Sequence, residues 1–262
     1  MIVELERTIK DLLKDFNKNI VIYSAVYPFV NFMNGNPVSF CNDVIDIFTQ
    51  NADTVFMPTF TDGFTNGICN LDKEKSLTGA LTEIFRNTEG VKRTFCPFFS
   101  FGVYGKYQKE TVALRPKEAW GSGSLYEWFY NNDVTIVTFG THLTHCSFTH
   151  YAEWLMRDKI TYRYNKDFSG KIILDGQEEN CKTTLFVRQL NPSPHNNWMW
   201  AIPNYLSVGM NILDFHGIQI SAISARNKID CLLPLVEKDN YCLIDNKESF
   251  IKKGENEYAR TI

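Results

Sequence analysis

Three of the chain's five histidines, one cysteine and one glutamate fall within thirteen residues, HLTHCSFTHYAEW, running from His142 to Trp154. Three chemistries suit such a set. His150 and Glu153 stand at i and i+3, neighbours on one face of a helix. A carboxylate beside an imidazole holds one ring nitrogen protonated and leaves the other as a base. The same spacing also serves an ordinary surface pair worth only ~0.2–0.5 kcal/mol. His142, His145, Cys146 and His150 are side chains that zinc accepts. Their spacing matches neither paired structural ligands nor H-E-x-x-H, so no metal is expected. Cys96, in RTFCPFFSFG, is a nucleophile candidate with His150 as a distant base. Its flanks, Phe95, Pro97, Phe98 and Phe99, imply apolar surroundings, which raise a thiol's pKa and leave it inert.

Two further stretches carry polar or stacking groups. WGSGSLYEW sets Ser122, Gly123 and Ser124 before a helix, where N–H groups and hydroxyls can meet a phosphate or carbonyl. It lacks the lysine of a phosphate-binding loop, and the same pattern caps ordinary helices. NNWMW puts Trp198 and Trp200 in a polar loop, as a stacking platform or as anchors of that loop in the core.

The elements around these residues read as α/β. Ile2, Leu5, Ile9, Leu12, Leu13 and Phe16 recur at helical spacing, which predicts an amphipathic helix over residues 3–16. NIVIYSAV reads as a buried strand, VSFCNDVIDIFTQ as a helix capped near Ser39, and TVFMPTF as a second buried strand. That order implies a parallel βαβ unit. SLTGALTEIFRNTEG reads as a helix ended at Gly90, GSLYEWFYNND as a helix, and VTIVTFG as a strand ending at Gly140. The histidine cluster therefore lies just past a strand's carboxyl end, where open α/β sheets bind ligands. HYAEWLMRD begins the next helix. Beyond Tyr162 the pattern alternates, and Asp175-Gly176 marks a hairpin in a β-rich part reaching about Leu190. NPSPHNNWMWAIPNY reads as a loop, and IDCLLPLVEKDNYCLI as helix and tail. A boundary near residue 165 is open, but no linker marks one.

Bulk properties narrow the classes. The 262 residues, 44% hydrophobic and 22% charged, provide for one large domain or two modest ones. A net charge of −3 argues against a general nucleic-acid binder. The longest apolar run is short and is interrupted by Ser24, Pro28 and Asn31, so no membrane span is expected. Glu4 and Glu6 stand where a secretory signal would be basic and then apolar. Seven cysteines without a C-x-x-C pair read as reduced thiols in a cytoplasm.

Taken in order, six segments resemble the aminoglycoside 3-N-acetyltransferase family, also called the antibiotic acetyltransferase family. NIVIYSAV stands where the family has a strand ending in His-Ser-Ser. MPTFTDGF looks like its M-P-x-F-T segment. GALTEIFRNTEGVKRTFCPFFSFGVYG is similar to its helix followed by R-S-x-H-P-x-x-S-F-x-x-x-G, and WGSGSLYEWFYNNDVTIVTFG to its G-x-x-S-P-x-x-x-L element. CSFTHYAE looks like T-x-x-H-x-A-E, and FHGIQISAISARNKIDCLLPLVEKD resembles the closing strand and helix. This chain departs from the pattern at Tyr23 and Cys96 (each for histidine), Ala25 (for serine), Leu125 (for proline) and Ser147 (for threonine). His150 and Glu153 match. Residues 163–207 have little counterpart.

The resemblance implies a single acetyltransferase domain over residues 1–262. Its fold would be a layered α/β/α arrangement around a central mixed, largely parallel sheet. A β-rich subregion, 163–207, would form part of the acceptor site. It implies direct acetyl transfer from acetyl-coenzyme A to a sugar amine, with His150 as general base and Glu153 orienting it. Coenzyme A contacts are expected at Ser24, Ala25, Ser100, Ser122, Gly123 and Ser124, with Ser24, Ser122 and Ser124 also candidates to stabilise the oxyanion. Acceptor contacts are expected at Thr61, Asp62, Cys96, Trp198 and Trp200. The variable segment mixes Asp175, Glu178 and Glu179 with Arg163, Lys166, Lys171, Lys182 and Arg188. With two tryptophans to stack, that mix leans towards a nucleotide-linked amino sugar for a surface glycan, with an aminoglycoside as the alternative acceptor. A zinc-dependent hydrolase and a non-catalytic binder of sugar or coenzyme A are the rival classes. A homodimer is one assembly open to the chain.

Overall fold

The computed structural model describes residues 1–251. Helix α1 (Ile2–Leu13) leads into strand β1 (Asn19–Ser24), helix α2 (Pro37–Asn51) and strand β2 (Thr54–Pro58). The short strand β3 (Ile68–Asn70) precedes helix α3 (Ala80–Arg86), strands β4 (Lys92–Arg93) and β5 (Phe101–Gly105), and helices α4 (Gln108–Val112) and α5 (Leu125–Asn131). Strand β6 (Thr135–Phe139) and helix α6 (Thr149–Leu155) follow, then the long strands β7 (Arg163–Leu174) and β8 (Gln177–Arg188). Helix α7 (Ile202–Ser207), strands β9 (Asn211–Phe215) and β10 (Ile218–Ser224), and helices α8 (Ala225–Asp230) and α9 (Leu233–Lys238) complete it.

Seven strands form the central sheet, in the order β4-β5-β2-β1-β6-β10-β9. It is mixed. The centre, β2-β1-β6, is parallel, and both flanks are antiparallel. Alternation along β1 explains the layering, because successive side chains leave a strand on opposite faces. Ile20 and Ile22 join Leu5, Ile9, Val44 and Phe48 of α1 and α2 on one face. Val21 and Tyr23 join Phe129, Phe148 and Ala225, from α5, the segment before α6, and α8, on the other. The side chains named here are essentially fully buried, and those larger than alanine are each worth roughly 1.5–3 kcal/mol of burial.

Several local expectations shift. The cap of α2 is Asn36, whose side chain accepts from Ser39 N at 3.0 Å, so Ser39 lies inside the first turn. Pro37 at the first helical position fixes that start. Helix α3 is shorter than the segment that suggested it. It begins after Gly79 and ends at Asn87, while Gly90 takes its left-handed conformation, φ +81°, three residues later. The segment read as a loop contains a helical turn, Met199–Ala201, and α7.

The hairpin is as its Asp-Gly pair suggests. Asp175 and Gly176 have φ of +50° and +71°, the two-residue turn that matches strand twist. Its tip is clamped by Asp72, whose carboxylate accepts from Asp175 N at 2.8 Å and Gly176 N at 2.9 Å. β3, from a stretch with no strand signal, runs parallel to β7 through Ile68–Asn70. Among the described residues no helix is long and apolar enough to cross a membrane. All seven cysteines are free thiols.

Candidate active site

The site is set by how β6 ends. After Phe139 the chain turns at Gly140, φ +63°. A Cβ there would stand 2.4 Å from Phe29 Cε2 and 2.5 Å from Ala25 O, so only glycine lets the carboxyl ends of β1 and β6 approach this closely. The chain then crosses residues 141–148 and enters α6. His150 sits in its first turn, with Glu153 one turn further along the same face.

Glu153 is fully buried and gathers two hydrogen bonds and an ion pair. Its Oε2 lies 2.5 Å from His150 Nδ1 and 2.8 Å from Arg163 Nε. Its Oε1 accepts from Tyr162 OH at 2.9 Å. Burial alone would raise this carboxyl's pKa, but the Arg163 guanidinium and the His150 ring together hold it below the usual carboxylate value. Arg163 Nη2, which can only donate, also stands 3.1 Å from His150 Nδ1, but the ionised Glu153 at 2.5 Å is the closer partner and takes Nδ1–H, which leaves Nε2 of His150 as the basic nitrogen. Burial and the neighbouring Arg163 cation push the His150 pKa down, outweighing the opposing pull of Glu153. The ring is therefore neutral at neutral pH. Trp120 and Trp198 flank it, each with ring centroids 5.2 Å away, so its orientation is fixed by packing as well as by hydrogen bonding.

Two cavities meet at this ring. The larger, 930 Å³, opens beside the carboxyl end of β1 and is bordered by Ser24, Ala25, Thr78, Ser147, Asn197 and Trp198, among others. Among the described residues no lysine, arginine, aspartate or glutamate borders it. The smaller, 440 Å³, lies between Phe99, Trp120 and the β7–β8 hairpin. His150 and Asn196 border both. A 520 Å³ cleft by Asp133 and Asn227 lies at the other end of the strands, away from this chemistry.

The expected contact residues divide accordingly. Ser24, Ala25 and Trp198 border the larger cavity. Ser100 has no exposed surface; its hydroxyl donates to Thr59 O at 2.8 Å and accepts from Arg93 Nε at 2.9 Å. Ser124 caps α5 by accepting from Glu127 N, while the Glu127 carboxylate takes Gly123 N at 2.7 Å, a reciprocal capping pair. Ser122 and Gly123 are exposed on the preceding turn. Thr61 donates to Pro97 O at 2.9 Å, and Asp62 is exposed at the start of a helical turn. Cys96 is buried with its thiol pKa pushed up by burial. None of these seven borders either cavity. Trp200 is tied by its indole N–H to Asn197 O at 3.0 Å and does not pair with Trp198 to form a platform.

Sequence reasoning missed Tyr162 and Arg163 as partners of the dyad, since a strand start ten residues beyond Glu153 carries no spacing signal for them. It also missed that two departures belong together. Ser147 Oγ lies 3.2 Å from Tyr23 OH and 2.8 Å from Tyr126 OH, at the floor of the larger cavity. Among the described residues no three His, Cys, Asp or Glu side chains are grouped to hold a metal.

A family model described as aminoglycoside 3-N-acetyltransferase matches residues 30–189. No curated protein matches the sequence. Among solved structures, AAC-IIIb in binary complex with CoASH superposes with a TM-score of 0.73, at 14% identity over 91% of this chain and 96% of that one. AAC-VIa bound to sisomicin gives 0.72, at 16% identity over 90% and 97%. The YokD protein from Bacillus subtilis gives 0.68, at 15% identity over 89% and 99%. At these identities the likeness establishes the shared fold.

Proposed function

The chain belongs to the aminoglycoside 3-N-acetyltransferase family and is an acetyl-coenzyme A-dependent N-acetyltransferase; within that activity we propose that it acetylates a primary amine of an amino sugar directly, with His150 as general base. The observation that carries this reading is the position of His150. It borders both cavities while its Nδ1 is held by an ionised carboxylate. A transferase without a covalent enzyme intermediate needs a base where donor and acceptor meet.

The chemistry follows from the ring's state. An ammonium group cannot attack a thioester, so its proton must leave first. Neutral His150 takes that proton at Nε2 and returns one to the departing thiolate. Glu153 fixes the tautomer and offsets the positive charge the ring carries in between. The larger cavity suits the pantetheine arm of coenzyme A, which is long and uncharged and carries amides. Ser24 and Ala25 stand at its β1 edge and the Ser147 hydroxyl at its floor, where Ser24 and Ser147 offer hydrogen bonds to the developing oxyanion. The smaller cavity admits the amine.

An aminoglycoside acceptor has the support of the family and of the sisomicin-bound relative. The nucleotide-linked amino sugar has less. The stacking pair that favoured it is divided, with Trp198 edge-on to His150 and Trp200 tied into its own loop.

The test is His150→Ala and His150→Asn, assayed by thiol release from acetyl-coenzyme A in the presence of amino sugars. Loss of a general base costs about 10²–10⁴-fold in rate. Near-normal turnover by either folded variant ends the assignment.

A further inference from the structure

Three hydroxyls meet at the floor of the larger cavity, and their protons can be counted. Ser147 Oγ lies 2.8 Å from Tyr126 OH and 3.2 Å from Tyr23 OH. Both phenols are buried, and burial pushes both pKa values up, so each keeps its proton. Each phenol oxygen also meets an N–H that can only donate. The Tyr23 oxygen accepts from the Phe148 amide. The Tyr126 oxygen faces the buried indole N–H of Trp120, which has no closer acceptor. A phenol that accepts on one side gives its own proton to the other. Tyr23 and Tyr126 therefore both donate to Ser147, whose oxygen has two lone pairs to receive them. Three protons and two bonds leave one O–H over, and it belongs to Ser147. Among the described residues nothing else accepts it, and Ser147 borders the larger cavity.

We propose that Tyr23 and Tyr126 are positioning residues that turn the Ser147 O–H toward the thioester oxygen and strengthen it as a donor. This rests on the larger cavity being the donor side. Hydrogen bonds in a chain polarise one another, so a serine that receives two protons gives its own more strongly. When the amine adds to the thioester carbon, the carbonyl π pair moves onto oxygen. The Ser147 O–H meets that charge without giving up its proton. The pair returns as the C–S bond breaks and the thiolate leaves. Ser147 stands three residues before His150, whose backbone N–H donates to Ser147 O at 3.0 Å, so one helical turn fixes the donor against the base. Tyr23 and Ser147 are both departures from the family pattern, and this device accounts for their occurring together.

The test joins a double-mutant cycle to a spectroscopic readout. Ser147→Ala should lower kcat about 10²–10³-fold, with a much smaller change in KM for acetyl-coenzyme A. Tyr23→Phe and Tyr126→Phe keep the packed rings and should each lower kcat about 2- to 10-fold. In the Ser147→Ala background neither should lower it further, because no hydroxyl remains to orient. Equal losses with and without the Ser147 hydroxyl would mean that the tyrosines act through packing, and would overturn the proposal. Infrared spectra of bound acetyl-coenzyme A, isotope-labelled at the thioester carbonyl, give a readout that needs no amine. The carbonyl stretch should lie lowest in the wild type, higher in either tyrosine variant and highest in Ser147→Ala. A frequency unmoved by Ser147→Ala also overturns the proposal. That order of frequencies without thiol release to any amine would support the placing of the hydroxyls and end the acetyl-transfer reading.

Discussion

Replacing Glu153 with glutamine keeps the shape of the dyad and removes its charge. The wild-type carboxylate meets His150, Arg163 and Tyr162 at 2.5, 2.8 and 2.9 Å with no exposure to solvent. In Glu153→Gln the buried Arg163 keeps its charge and loses its counter-charge. Removing one partner of a buried pair costs ~3–5 kcal/mol, so the urea midpoint should fall by that equivalent. Adding Arg163→Met should recover most of it, because the second charge then leaves as well. The catalytic effect has a separate size. An imidazolium about 4 Å from a carboxylate gains about 4 kcal/mol at an effective dielectric near 20. The amide oxygen still accepts from Nδ1 and offsets part of this, which leaves about a 10²–10³-fold loss in kcat. KM for acetyl-coenzyme A should change little, since Glu153 borders neither cavity. Glu153 is also what raises the His150 pKa against burial and Arg163, so its removal lowers that pKa further and the acid limb of kcat/KM moves to lower pH. The assay is thiol release as a function of pH, beside urea melts. A folded Glu153→Gln enzyme with kcat within about threefold of wild type, or an acid limb moved upward, refutes the reasoning.

Cys96→Ser should keep most activity, since the thiol is buried with its pKa pushed up; rapid-quench mass spectrometry finding an acetyl group on Cys96 in the wild type would reverse that assignment. Trp198→Ala should raise KM for acetyl-coenzyme A more than for the amine, because Trp198 borders the larger cavity and not the smaller; the opposite split would exchange the two sides. Stability should fall on acidification in two stages. The folded His150 pKa lies below its ordinary 6.5, so below about pH 6.5 the unfolded chain takes the proton first and the folded state loses ground. The lowered Glu153 pKa adds stability that is present above the ordinary 4.5 and lost as pH falls through the folded value. His150→Gln should abolish the first stage, and a urea midpoint unchanged from about pH 7 to about pH 5 in the wild type argues against it.

The helix and strand periods of α1, β1, α2 and β6 were legible because each buries one face or both, and burial writes itself into residue type. Strands β3 and β5 were not: β3, three residues long, owes its pairing to the distant β7, and β5 (FGVYG), which holds two glycines, owes its to antiparallel pairing with β2. His150 and Glu153 were legible as a pair because helical spacing alone makes them neighbours. Their third partner was not, because Arg163 reaches them only through the hairpin's placement. Ser100 and Ser124 show a different limit. A buried hydroxyl on Arg93 and a helix cap use the same residue types as a ligand site, and sequence does not separate the three roles. Tyr23 and Ser147, two departures from the family pattern far apart in the chain, turn out to share one hydrogen bond.

The hairpin that walls the smaller cavity is fastened at both ends, by Asp72 at its tip and by the Arg163–Glu153 pair at its root. A wall held this way does not swing shut over its guest. Admission is then a matter of aperture, decided by bulk before any proton moves. Turnover in such an enzyme should slow with the girth of the product that must back out, instead of waiting on a lid. Loosening the Asp72 clasp would free the hairpin's tip alone, since its root stays tied to the dyad by the Arg163–Glu153 pair.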